Sequence, residues 1–206
     1  MSVPKPLSLI LFDVGNVILP FDLRIAMKKF EKECGFPSEE IFRRLMGGEL
    51  DHSFERGKIT PQEFYEHVTQ ELGMEISYDR FVTIWSDIFS ENERVSVLVR
   101  RLRKQYPVAL ISNTNVLHFE FVYRNFPIVK EVGEFILSYE VGCRKPDPKI
   151  YQSALDRFGT TPQGTLYVDD LEKFIEAAHK LGLHGIHFKG ADLLEKELVR
   201  LGLLTI

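Results

Sequence analysis

Four groups of polar residues stand where chemistry is most accessible, at the ends of short apolar runs or in the loops beyond them. Asp13 follows residues 7–12 (LSLILF), Ser112-Asn113-Thr114-Asn115 follows residues 108–111 (VALI), and Asp169-Asp170 follows residues 165–168 (TLYV). A fourth group, Arg144-Lys145-Pro146, lies in a loop ahead of a helical pattern. An aspartate in such a place can be a nucleophile or a turn cap, Ser-Asn-Thr-Asn can bind a ligand or start a helix, and paired aspartates can complement a helix dipole. Singly, these residue types do not choose between the roles. Their shared position says more, because ligands of an open parallel sheet bind outside the carboxyl ends of its strands.

The elements that must position these groups are legible as periodicity. The apolar runs have strand length, and residues 135–137 and 185–188 add two more candidates. Between them Val95, Leu98, Val99 and Leu102 follow one helical face, as do Ile150, Ala154, Leu155 and Phe158 before the stop at Gly159. This alternation predicts an α/β fold, a doubly wound and mostly parallel sheet. From about residue 20 to 90 only helical patterns occur. Leu23, Met27, Phe30 and Cys34 repeat up to Gly35, and Phe64, Val68 and Leu72 repeat up to Gly73. The second helix carries a capping-box signature, Thr60 and Glu63 with Pro61 at the first helical position. A further helix is expected to bury Phe81, Trp85 and Ile88. We therefore expect a core of residues 1–19 and 91–206, with a helical insert over 20–90 joined by short hinges near 18–22 and 90–93.

The ordered set LFDVGNVIL, LISNT, RKPDPKIY and LYVDD resembles the four motifs of haloacid-dehalogenase-like hydrolases, with the insert placed as in their C1-capped members. The resemblance spans residues 9–178. It implies a Rossmann-like core and a magnesium-dependent phosphatase acting on a small phosphorylated metabolite through an aspartyl-phosphate on Asp13. Ser112 would hydrogen-bond a phosphoryl oxygen, helped by backbone N–H groups of Asn113 and its successors, and Lys145 would hold nucleophile and phosphate together. Mg2+ would be bound by Asp13, the Gly15 carbonyl and the Asp169-Asp170 pair. The family's spacing of apolar and small residues fits Ile175, Ala177 and Ala178 counted from Asp170. That makes Asp170 the direct ligand and Asp169 a ligand through water or a supporting acceptor. Residues 54–59 (FERGKI) resemble a cap segment of a branch that includes sugar-phosphate phosphatases, with Glu55, Arg56 and Lys58 as candidate substrate contacts.

Two departures from the family pattern stand out. Gly15 occupies the place of a second aspartate that acts as general acid, and Phe174 occupies that of an acceptor that orients the metal. His118 is the remaining candidate for proton transfer or substrate binding, although a histidine between Leu117 and Phe119 is more often structural. Other readings are a metal-independent 2-haloacid dehalogenase, which uses the same aspartate, and a weakly active phosphate-binding regulatory protein. Composition narrows the field. The 206 residues are 44% hydrophobic and 27% charged, with a net charge of −4. Such a chain buries a core but offers no basic field for nucleic acid. Two separated cysteines, Cys34 and Cys143, fit a reducing, cytoplasmic setting, and no apolar run is long enough to span a membrane. Oligomeric state is not readable from these features.

Overall fold

The structure, a computed structural model, describes residues 7–205. Its centre is a parallel sheet of β1 (Leu9–Phe12), β2 (Val108–Ser112), β3 (Phe135–Leu137), β4 (Thr165–Asp169) and β5 (His184–His187), in the order β3-β2-β1-β4-β5. Helices alternate with the strands: α6 (Glu93–Arg103), α7 (Val116–Asn125), α8 (Pro127–Val132), α9 (Ser138–Val141), α10 (Pro148–Phe158), α11 (Glu172–Lys180) and α12 (Ala191–Arg200). The chain is α/β with the doubly wound sheet expected from the alternation.

Successive side chains of a strand point to opposite faces, so a strand covered on both sides must be apolar throughout. Ile10 and Phe12 therefore join one buried cluster with α6, α8 and α12, while Leu9 and Leu11 join another with α10 and α11. Register then aligns the strand ends. Phe12 pairs with Leu110 on one side and Val168 on the other, and Asp13 N–H donates to Val168 O (2.9 Å). Strands β2 and β4 run one residue further than the sequence suggests. Ser112 and Asp169 are consequently held by the sheet itself rather than by loops.

Residues 20–90 carry α1 (Leu23–Cys34), α2 (Ser38–Leu45), α3 (Glu49–Glu55), α4 (Pro61–Leu72) and α5 (Tyr78–Ser86). Both arms of the capping box at Thr60 are made, and Gly35 and Gly73 end their helices in left-handed conformations. These helices bury an apolar cluster of their own, built on Phe30, Phe54, Phe64, Phe81 and Trp85, with Leu117 of α7 as the contribution from outside. The two connecting segments lie antiparallel. Asp22 N–H donates to Ile88 O, Ser90 N–H to Pro20 O and Asn92 N–H to Ile18 O, at 2.9 to 3.1 Å.

The α3 end docks on α9 through a close approach at Gly57. Its φ is +65°, and a Cβ there would stand 2.2 Å from Tyr139 O. At Gly35, with φ +76°, a Cβ would meet nothing within 4 Å. Alanine at Gly35 should therefore cost only the left-handed penalty, about 1–2 kcal/mol. Gly57→Ala should lose about a further 1–3 kcal/mol from overpacking against Tyr139. Urea unfolding of the two variants checks the difference, and equal losses would mean the α3 end is not held against α9.

Candidate active site

Asp13, Ser112, Lys145 and Asp169 are all buried, brought together by strand register and by the loop ahead of α10. Lys145 lies at the centre. Its ammonium donates to Asp13 Oδ1 (2.6 Å), Asp169 Oδ2 (2.7 Å) and the Ile111 carbonyl (3.4 Å). All its protons are thus placed. The lysine backbone is fixed as well. Asn113 Oδ1 accepts from Lys145 N–H (2.7 Å) and Asn113 Nδ2 donates to Lys145 O (3.0 Å). The sequence offers the Asn113 backbone N–H to the substrate, and its carboxamide separately holds the lysine. The Phe174 ring lies 5.0 Å from the ammonium, close enough for a cation–π contact. Where the sequence suggests a missing acceptor, the structure has an apolar wall for Lys145. Glu172 and Lys173 stay exposed, the Lys173 ammonium lying over that same ring.

The two aspartates of the pair differ in what they have left to offer. Asp169 Oδ2 accepts from Lys145 and from the Tyr167 hydroxyl, and Oδ1 accepts from Leu171 N–H (2.8 Å). Asp170 is partly exposed, and its carbonyl accepts from His187 Nε2 (2.9 Å). One oxygen each of Asp13, Asp169 and Asp170 lie within 4.8 Å of one another. Three carboxylates around one ammonium leave an excess of two negative charges when all are ionised. Burial accordingly pushes Asp13 up to about 7, with Asp169 and Asp170 adding to the rise and Lys145 opposing it. Asp170 is raised too, by burial first and then by Asp169. A divalent cation on these hard oxygens would cancel the excess, so the donor set fits such an ion.

Beside this cluster, Ser112, Gly15 and Val14 line one side of a cavity of about 110 Å³, walled on the other side by Phe21, Trp85 and Glu55. The Ser112 hydroxyl makes only a long contact to Asn113 O (3.4 Å) and is available to a ligand. Thr114 N–H is not, because it donates to Ser138 Oγ (2.9 Å). Ser138, absent from the sequence reading, is fully buried and also contacts Glu55 O (2.6 Å), which ties the α3 end to the loop after Ser112. His118 also lines the cavity, but both ring nitrogens are taken. Asn115 Nδ2 donates to Nδ1 (3.1 Å), and Nε2 donates to Trp85 O (3.1 Å). Burial pushes its pKa down to about 4, so near pH 7 the ring is neutral, with no spare proton for a substrate.

In the metal-free protein, Asp13 retains a proton in the folded chain between its ordinary 3.8 and about 7, where the unfolded chain has lost it. The folded state then binds more protons, so this group's contribution to stability falls as pH rises through that window. Glu55, raised from 4.5 to about 7, has the same sign, while His118, lowered from 6.5 to about 4, has the opposite one. Asp13→Asn isolates the first. The stability of wild type relative to Asp13→Asn should drop by a few kcal/mol from about pH 5 to 7 in metal-free urea titrations. A flat difference would contradict the charge excess. Lys145→Met should cost about 3–5 kcal/mol at pH 8 and less at pH 5, since it leaves buried carboxylates unpaired.

Residues 7–182 match the family model described as haloacid dehalogenase-like hydrolase. A D-ribitol-5-phosphate phosphatase from Bacteroides thetaiotaomicron is 29% identical over 84% of this chain and 87% of its own. An (S)-2-haloacid dehalogenase from Burkholderia cepacia is 22% identical over 85% of this chain and 80% of its own. Among solved structures, a HAD family enzyme from Bacteroides thetaiotaomicron, complexed with magnesium and inorganic phosphate, superposes with a TM-score of 0.79 at 29% identity, covering 89% of this chain and 94% of that one. With the family model matched over most of its length and Asp13, Ser112, Lys145 and Asp169 gathered at the strand ends, the chain belongs to the haloacid dehalogenase-like hydrolases.

Proposed function

We propose that this enzyme is a magnesium-dependent phosphatase that hydrolyses a small phosphorylated metabolite, with a sugar or polyol phosphate as the substrate class. The observation that carries the reading is the excess negative charge of Asp13, Asp169 and Asp170 over Lys145, set beside a free Ser112 hydroxyl and a cavity. A metal-independent dehalogenase has no use for two further carboxylates beside its anionic nucleophile, because the single charge of Lys145 leaves that grouping in excess and a second cation is needed to offset it. The similarity to a ribitol-phosphate phosphatase supports the substrate class.

Asp13 attacks phosphorus through the oxygen not bonded to Lys145, and the P–O bond to the alcohol breaks as the aspartyl-phosphate forms. Water then attacks that phosphorus and releases inorganic phosphate. Ser112 donates to a phosphoryl oxygen, and Lys145 keeps Asp13 oriented while its charge offsets that of the transferring group. Asp13, Asp170 and the Gly15 carbonyl would hold magnesium, which would supply the positive charge that an anionic nucleophile needs to meet an anionic ester. Asp169 supports this set by holding Lys145, since its oxygens already have protein partners. Residues 20–90 act as a C1-type cap that shuts the cavity over the leaving group, swinging on the paired linkers around 18–22 and 88–92. Arg56 and Lys58 lie on the outer side of the α3 end, by Arg144, so we assign them to the cap's rim rather than to the cavity. The setting is the cytoplasm, consistent with the unpaired Cys34 and Cys143; among the described residues, no helix is long and apolar enough to cross a membrane.

A phosphate-release assay over a metabolite panel, with and without magnesium, tests the reading. Activity should require the metal, and Asp13→Asn should abolish turnover while leaving the fold intact. A variant that keeps most of its activity would remove the covalent mechanism. Asp170→Asn should raise the magnesium concentration needed for half-activity at little cost in stability, whereas Asp169→Asn should lower stability by about 1–3 kcal/mol, because the buried donors of Lys145, Tyr167 and Leu171 lose a charged acceptor. The reverse ranking would exchange the two roles.

A further inference from the structure

An alcohol leaving a phosphate ester needs a proton, and the strand ends hold no group free to give one. Lys145 has placed its protons on Asp13, Asp169 and Ile111. His118 is neutral and bonded at both nitrogens. Gly15 carries no side chain, and a Cβ built there would stand 2.8 Å from the Phe21 ring, so a side chain at that position would first have to displace Phe21. Two other acidic groups face the cavity, both from α3. Asp51 has an oxygen occupied by Gly47 N–H (2.9 Å), where it closes a turn. Glu55 has no hydrogen bond to its carboxyl. Its Oε2 is buried and lies 2.5 Å from Arg144 Nε, in contact but out of line for a hydrogen bond.

We propose that Glu55 is the catalytic acid and base of this enzyme, giving its proton to the bridging oxygen of the ester as the P–O bond breaks. The assignment rests on the phosphatase reading. The position is built rather than incidental. Ser138 pins the Glu55 carbonyl to the loop that follows Ser112, and Gly57 lets the turn press against Tyr139 O. The backbone that carries Glu55 is therefore held at the cavity wall, facing the side lined by Ser112, by the same contacts that seat the α3 end. Once the proton has gone, the Arg144 guanidinium already beside Oε2 offsets the charge of the carboxylate. In the second step it takes a proton from the water that attacks the aspartyl-phosphate, and the acid is restored with no net gain or loss.

The surroundings set Glu55 for this cycle. Burial pushes its pKa up to about 7, with Asp51 adding to the rise and Arg144, Lys145 and Arg56 opposing it. Near neutral pH both forms are populated, as a group that gives and regains a proton requires.

The test is a series of phosphate monoesters graded by leaving-group acidity, from p-nitrophenyl phosphate to a primary alkyl phosphate such as a polyol phosphate, assayed with magnesium on the full chain. Wild type should depend weakly on the leaving group, and its kcat/KM on the alkyl ester should fall above pH 7. Glu55→Gln should lose about 10²–10⁴-fold on the alkyl ester. It should lose less than about ten-fold on p-nitrophenyl phosphate, whose leaving group departs unprotonated and whose turnover reports that the site has folded. The alkaline fall on the alkyl ester should also disappear. Glu55→Asp, which keeps a carboxyl, should recover part of the alkyl activity. Equal losses on both esters, or an alkaline fall that survives in Glu55→Gln, would overturn the assignment while leaving the phosphatase intact. A wild type inactive on every ester would instead remove the phosphatase reading, and this assignment with it.

Discussion

One buried ammonium organises this molecule. Lys145 is 3% exposed, and a lone charge so placed would be far too costly to keep. Burial alone would push its pKa down, yet the charges of Asp13 and Asp169 and the hydrogen bonds to them more than compensate, and the lysine stays ionised. The arrangement holds only if β1, β2 and β4 end at matching heights and the loop before α10 reaches across them. Register, the Asn113 clamp and the Tyr167 hydroxyl all serve that geometry. The site is in this sense a condition on the fold, and the residual negative charge beside it is what gives the protein its appetite for a divalent cation.

Much of this frame was legible because it is local. An apolar run that stops at a polar residue marks a strand end, and Asp13, Ser112 and Asp169 each sit at such a stop. Thr60-Pro61 with Glu63 spells out a helix start through contacts three residues apart, and the structure makes both of them. Lys145 is different. Nothing in the immediate neighbourhood of Arg144-Lys145-Pro146 marks it as buried, and only the order of the four motifs brought it forward. The Asn113 carboxamide contacts a backbone 32 residues away, and Ser138 reaches Glu55 across 83. Pairings of that span leave no trace in periodicity. Tyr167 was hidden for another reason, since within TLYV it reads as one more core residue, yet its hydroxyl is what satisfies Asp169. Phe174 shows the opposite limit. The missing acceptor was visible in the sequence, but the ring's place beneath the Lys145 ammonium was not.

The α1–α5 segment and the sheet keep largely separate apolar clusters, which meet through Leu117 and the rings of Trp85, Phe89 and His118. Further contacts between them are polar or glycine-mediated: Trp85 O with His118, Glu55 O with Ser138, Glu55 with Arg144, and Gly57 against Tyr139. Interfaces of this kind can be remade, whereas a shared hydrophobic core resists opening. The same interface carries the one cavity carboxyl left without a hydrogen bond, so the surface that seats the helices is also the surface that supplies a proton. Closing and protonating would then be coupled by construction. The aromatic row from Phe54 through Phe64 and Trp85 to His118, stacked at its two ends and edge-on between Phe64 and Trp85, with neighbouring centroids 4.2 to 5.2 Å apart, gives the seat its shape.

The central claim is that three carboxylates around one ammonium require a divalent cation, and that binding it ionises Asp13. Calorimetric titration of magnesium into the metal-free protein, in buffers of differing ionisation enthalpy, measures this directly through the protons released. One ion should bind per chain, with release approaching one proton per ion at pH 6, vanishing near pH 9 and strongly reduced in Asp13→Asn. Binding without proton release at pH 6, or with equal release in the variant, would contradict the account.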